Sequence, residues 1–270
     1  MAQDFRKVAE GRAVMQLKYV RYQDGQKVSY GILEGERIQE INGVPFQEAA
    51  AVRTGRSVET GDVELLWPCE PSKVLAVGLN YQSHLEGQSR PTPKNPEIFV
   101  VPVSALLQTG GEIRIPPGAS NVHYEGELVA VIGKIARRVS VPDAARCIFG
   151  FTCGNDISER AWQKNDLQWW RAKGCDTFAP LGPAIAAGFD WKQGRVETRV
   201  NGSVVQAGNF SELLFDPNVI VSYVSQYVTL YPGDVIYTGT PGQTGALKPG
   251  DLVEVEIPGI GVLRNRVADS

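Results

Sequence analysis

Two glutamates two residues apart, Glu125 and Glu127, open the apolar run Leu128-Val129-Ala130-Val131-Ile132-Gly133. The run is short, rich in β-branched residues and closed by glycine, which is the pattern of a buried strand. Residues i and i+2 of a strand face the same way, so both carboxylates would stand side by side where the strand enters the core. A second apolar stretch, Cys147 to Gly154, ends in Asn155-Asp156 and can deliver a third carboxylate from a neighbouring strand. Three carboxylates brought together repel one another and lose hydration unless a cation compensates. An all-oxygen ligand set suits a hard cation, Mg²⁺ first, with Mn²⁺ or Ca²⁺ also compatible. The competing reading leaves Glu125 and Glu127 in water on a one-sided strand.

Other residues could serve such a site. His84 lies just beyond the apolar stretch Lys73–Gly78, and a polar, proline-bearing segment, Gly87–Pro96, follows it. That placement suits a lid over an active site or, alternatively, a plain surface loop. After Asp156 a helix is expected, with Asp156, Arg160 and Gln163 on one face. They form either a surface ion pair or the wall of an anion pocket, because a guanidinium recognises carboxylates bidentately. Lys173 stands alone among small and apolar residues. It is either solvated or semi-buried beside a metal, where it could polarise a carbonyl. Trp162, Trp169 and Trp170 read as packing or as a dimer contact.

The elements that must position these groups are mostly strands. The chain has 270 residues, 43% of them hydrophobic, enough for one large domain or one large and one small. Its 29 glycines and 17 prolines point to many turns and a β-rich fold. Residues 1–14 are polar and poorly patterned, a loose leader. Three short strands then form a meander up to Ile41, a short helix is expected over 46–52, and Pro68-Cys69-Glu70-Pro71 marks a boundary between units 1–70 and 71–270. Asn201-Gly202 signals a hairpin with a type I′ turn, and Asp216-Pro217 signals a helix start.

Composition excludes several classes. The net charge of −3 and scattered basic residues argue against nucleic acid. No run of about 18 apolar residues could span a membrane, and no secretory signal is visible. The cysteines, Cys69, Cys147, Cys153 and Cys175, form no C-x-x-C pair. Reduced thiols in a cytoplasmic protein are expected.

Several dispersed motifs together resemble the fumarylacetoacetate hydrolase family over Lys73–Val267. They are Gly78-Leu79-Asn80-Tyr81 with His84, Tyr124-Glu125-Gly126-Glu127-Leu128, Asn155-Asp156-Ile157-Ser158-Glu159-Arg160, Lys173 with Asp176-Thr177-Phe178, and Thr238-Gly239-Thr240-Pro241. The resemblance implies an α+β fold dominated by a β-sandwich or roll, with a small N-terminal β domain, usually as a homodimer. It implies Mg²⁺ or Mn²⁺ held by Glu125, Glu127 and Asp156, and a small 2-oxo acid substrate. Lys173 would polarise that substrate, Arg160, Gln163, Thr240 and Tyr81 would bind it, and His84 would be the lid base that activates water. The implied reaction is hydrolysis of a C–C bond in 2,4-dioxo acids. Oxaloacetate decarboxylation, isomerisation or hydration of unsaturated 2-oxo diacids at the same metal, or a weakly catalytic binding role, are the alternatives. One departure stands out. Acylpyruvate-cleaving members pair the lid histidine with a glutamate three residues later, where this chain has Gly87. Glu86, only two residues after His84, is the candidate replacement.

Overall fold

The structure, a computed structural model, describes residues 16–46, 52–85 and 91–269. The leading meander forms as expected. β1 (Leu17–Asp24), β2 (Lys27–Glu34) and β3 (Arg37–Ile41) pair antiparallel in chain order. The helix expected over 46–52 falls largely outside the described residues. The strand after it, β4 (Arg53–Glu59), was not expected, because its polar sequence carries no apolar alternation. It is an exposed edge strand paired to β3.

The remaining strands are β5 (Glu64–Leu66), β6 (Val74–Gly78), β7 (Glu97–Val101), β8 (Leu106–Leu107), β9 (Glu112–Ile115), β10 (Val122–His123), β11 (Gly126–Ile132), β12 (Ile148–Asn155), β13 (Ser158–Glu159), β14 (Ala179–Ala187), β15 (Arg195–Val200), β16 (Ser203–Asn209), β17 (Val235–Tyr237), β18 (Leu252–Ile257) and β19 (Gly261–Asp269). One large sheet runs β4-β3-β2-β1-β14-β12-β11-β17-β6-β7, so the meander extends the same sheet that carries the acids. A second sheet, β16-β15-β18-β19-β9, packs across it. Leu128, Ala130, Phe151 and Cys153 of the first sheet meet Val196, Val255, Ile257 and Leu263 of the second.

Beside the second sheet, on the same face, the helix Pro217–Ser225 lays Ile220, Val221 and Val224 on Leu75, Val77, Ile132 and Ile236. The opposite face is also covered: Val74, Ala76, Val129, Val131 and Tyr237 are buried in a core with Ala105 and Leu106. Asp216 caps that helix by accepting from the N–H groups of Asn218 and Val219, and Pro217 occupies its first turn, as its sequence predicts. With both faces covered, β11 is buried at every position, which is why its sequence is continuously apolar rather than alternating. Asn201 and Gly202, at φ of +51° and +80°, form the expected type I′ turn between β15 and β16. The architecture is the α+β, strand-dominated fold expected. All four cysteines are free thiols, and Cys69, Cys147 and Cys153 are buried. Among the described residues no helix is long and apolar enough to cross a membrane.

Candidate active site

β11 and β12 pair antiparallel with Gly126 opposite Asn155. Glu125 therefore lies just before one strand while Asp156 lies just after the other, and the two meet. The Asp156 N–H donates to the Glu125 carbonyl at 2.9 Å, and the Asn155 side-chain oxygen accepts from the Glu125 N–H at 2.9 Å. Glu127 joins them from the same side of β11. Ligand oxygens of Glu125, Glu127 and Asp156 all fall within 4.8 Å of one another, and all three residues are buried. Glycine between the glutamates is a steric requirement, because a Cβ at Gly126 would collide with the Thr198 hydroxyl of the second sheet.

The segment after β17 frames the acids. The Gly239 N–H donates to Glu127 Oε2 at 2.6 Å, and Thr240 Oγ1 donates to the Gly126 carbonyl at 2.9 Å. Gln206, buried in β16, accepts from the Gly126 N–H and donates to Thr240 Oγ1 and the Pro241 carbonyl. Its role was invisible in sequence, since it reaches the site from a hairpin of the other sheet.

Two cations answer the three acids. Lys173, on the short helix Trp170–Gly174, is 3% exposed and places Nζ at 2.6 Å from both Glu125 Oε2 and Asp156 Oδ2. Burial disfavours its charge, but Asp156 and Glu125 outweigh burial and hold its pKa above the usual lysine range. Arg160 donates Nη2 to Glu125 Oε1 and to Thr244 Oγ1, and Nη1 to Gln163 Oε1 at 2.7 Å. Burial alone would raise Glu125; Arg160 and Lys173 reverse that and hold it well below the usual carboxylate range. Asp156 is pushed up to about 7, and Glu127 well above its ordinary value, by burial and by the neighbouring carboxylates. Three carboxylates against two cations leave one negative charge uncompensated in a buried site. Converging hard oxygens with that deficit fit a divalent cation, and among the described residues this is the one cluster of three or more potential ligands.

Asp156 does not share a helical face with Arg160 and Gln163. The helix begins at Arg160, capped by Glu159, whose carboxylate accepts from the Trp162 N–H. Asp156 reaches the site through strand pairing instead. Arg160 stands behind Glu125 and Gln163 rather than in the wall of the cleft. The cleft is lined by the polar Glu125, Glu127, Asp156, Lys173, Gln163, Thr240 and His84 and by Val77, Gly78, Leu79 and Trp169. Tyr81 is wholly buried outside this lining, and its hydroxyl makes no hydrogen bond among the described residues. The tryptophans do not cluster. Trp162 stacks on Arg171, Trp169 packs edge-on against Phe99, and Trp170 is 67% exposed.

His84, on the one-turn helix Gln82–Leu85, lines the cleft, with Nδ1 at 2.7 Å from the Gly242 carbonyl. A carbonyl only accepts, so Nδ1 carries the proton of that bond. Glu86 and Gly87 lie outside the described residues. The other histidine, His123, is bonded to Asn121 and Thr244, and burial followed by Arg160 pulls its pKa down to about 4.

With this geometry in place, the comparisons are direct. Residues 73–268 match the family described as fumarylacetoacetate (FAA) hydrolase C-terminal, and residues 17–68 match Rv2993c-like, N-terminal. The chain belongs to the fumarylacetoacetate hydrolase family. It is 42% identical to Protein Rv2993c of Mycobacterium tuberculosis, over 89% of this chain and 94% of that one. It is 42% identical to the human mitochondrial protein named oxaloacetate tautomerase FAHD2A, over 73% of this chain and 67% of that one. The crystal structure titled 5-carboxymethyl-2-hydroxymuconate delta-isomerase from Mycobacterium smegmatis superposes with a TM-score of 0.88 at 41% identity, covering 94% of this chain and 100% of the other.

Proposed function

We propose that this protein is a divalent-metal-dependent tautomerase or isomerase of small 2-oxo acids, shifting a proton between C3 and the 2-oxo oxygen. The observation that carries this reading is the convergence of Glu125, Glu127, Asp156 and the buried Lys173 in one cleft that His84 also lines. The C3 protons of a 2-oxo acid bearing a second carbonyl at C4 are far more acidic than those of water, so a positioned imidazole can remove them.

Glu125, Glu127 and Asp156 would hold Mg²⁺ or Mn²⁺. When bound, the ion supplies Lewis-acid stabilisation of the charge that develops on the 2-oxo oxygen. Lys173 contributes a fixed positive charge beside the same oxygen, oriented by its bonds to Glu125 and Asp156. His84 Nε2 takes the proton from C3. The C–H electron pair becomes the C2=C3 bond, the carbonyl π pair moves to oxygen, and that oxygen receives a proton. No co-reactant is consumed. The names of the human relative and the mycobacterial isomerase, both describing proton shifts, agree with this choice over the hydrolysis implied by the family's name.

The test follows the ultraviolet absorbance of enol-oxaloacetate with Mg²⁺ or Mn²⁺ and with chelator. Acetylpyruvate cleavage and pyruvate release from oxaloacetate are measured in parallel. Metal-dependent equilibration at least ~10²-fold faster than either cleavage is expected, the scale of one acid–base contribution. Acetylpyruvate hydrolysis as fast as tautomerisation overturns the assignment in favour of a hydrolase, and dominant pyruvate release overturns it in favour of a decarboxylase.

A further inference from the structure

The apolar side of the cleft is built with unusual constraint. Leu79 has φ +56°, in the left-handed region, where a branched side chain is strained and glycine is not. The residue after it explains how the conformation persists. Asn80 is buried and fully engaged: its side-chain amide donates to the carbonyls of Phe215 (2.9 Å) and Thr238 (2.7 Å), its side-chain oxygen accepts from the Phe215 N–H (2.8 Å), and its own carbonyl accepts from the Leu214 N–H (2.9 Å). These bonds over-determine the turn and hold Leu79 at the cleft wall. Trp169 completes that wall. Its six-membered ring lies so close over Gly78 that a Cβ there would stand 3.3 Å from it, and Phe99 supports it edge-on at 5.3 Å between centroids. A strained leucine where glycine would fit freely is retained for what its side chain does.

We propose that Leu79 and Trp169 are the specificity-determining residues of this site, an apolar stop that restricts it to 2-oxo acids with a compact group on C3. A 2-oxo-carboxylate head bound at the metal that Glu125, Glu127 and Asp156 would hold would leave the C3 substituent to meet Leu79 and Trp169. This deepens the proposed function and rests on it for the 2-oxo acid class.

The test reads selection by binding, so that it is independent of turnover. With Mn²⁺ present, calorimetry gives the affinities of oxalate, a planar dianion with no C3 group, and of phenylpyruvate, whose C3 carries a ring. Leu79→Gly and Trp169→Ala should each shift the affinity ratio toward phenylpyruvate by about tenfold or more, the discrimination expected of an apolar pocket wall. Leu79→Gly should melt no lower than Trp169→Ala, because it relieves the left-handed strain. A ratio that stays within about threefold of the wild type in both folded variants overturns the proposal. A wild-type protein that binds both acids with the expected ratio but does not speed enol-oxaloacetate equilibration overturns the proposed reaction and leaves the selecting wall standing.

Discussion

Replacing Lys173 with methionine removes a buried ammonium and preserves much of its volume. In the metal-free protein it turns a site of three acids and two cations into one of three acids and a single cation. Glu125 Oε2 and Asp156 Oδ2 each lose a 2.6 Å charge-assisted bond in a buried setting. Breaking a buried ion pair from one side costs about 3–5 kcal/mol. Proton uptake by Asp156 relieves part of that, so about 3 kcal/mol is the expected loss, equivalent to roughly 6–12 °C in melting temperature for a protein of this size. Mn²⁺ should narrow the gap. An ion at 100 times its Kd stabilises the wild type by about 2.7 kcal/mol, and the more negative variant site should gain more than that. The assay is a pair of thermal melts, wild type and Lys173→Met, in chelator and in excess Mn²⁺. Coincident melts in chelator, or a gap unchanged by Mn²⁺, would refute Lys173 as the counter-charge of the acids. Turnover of the variant should stay low even when metal restores its stability, because the fixed charge beside the substrate oxygen is gone.

His84→Ala should cost about 10²–10⁴ in enol-oxaloacetate equilibration, the range for losing a general base, while leaving Mn²⁺ affinity within a few-fold; an undiminished rate removes His84 from the chemistry. Glu127→Ala should lower Mn²⁺ affinity by at least ~10-fold in a titration that counts free ion, with little change in far-ultraviolet circular dichroism. In the meander, burial would raise Glu40, but hydrogen bonds from Lys27, Arg56 and Tyr22 hold it down at about 2. A depressed carboxylate stabilises the fold above its unfolded pKa, and that stability is lost as pH falls from about 4.5 through about 2. Lys27 and Arg56 are largely exposed, so the contribution is about 1 kcal/mol, and Glu40→Gln should lose it at pH 7 and match the wild type near pH 2 in urea melts. A homodimer, proposed from the family resemblance, is checked by light scattering at micromolar concentration; a mass of one chain refutes it.

What the sequence determined by itself lay in short-range pattern. The apolar run after Glu127 had the pattern of a buried strand, and strand periodicity put Glu125 and Glu127 on one side of it. Asp216-Pro217 and Asn201-Gly202 specified a helix start and a hairpin turn, because caps and left-handed turns depend on a few adjacent residues. Tertiary structure alone decided the rest. The sequence already offered Asp156 as a third acid from a neighbouring strand, but only the register of β11 on β12 brings it beside Glu125. β4 is a strand because β3 offers it an edge, not because its polar sequence prefers one. Gln206, the Gly242 carbonyl and the Leu79–Trp169 wall belong to the site only because separate segments converge there. Their contribution lies in backbone atoms, in a strained φ and in packing across sheets, none of which residue type or local spacing encodes.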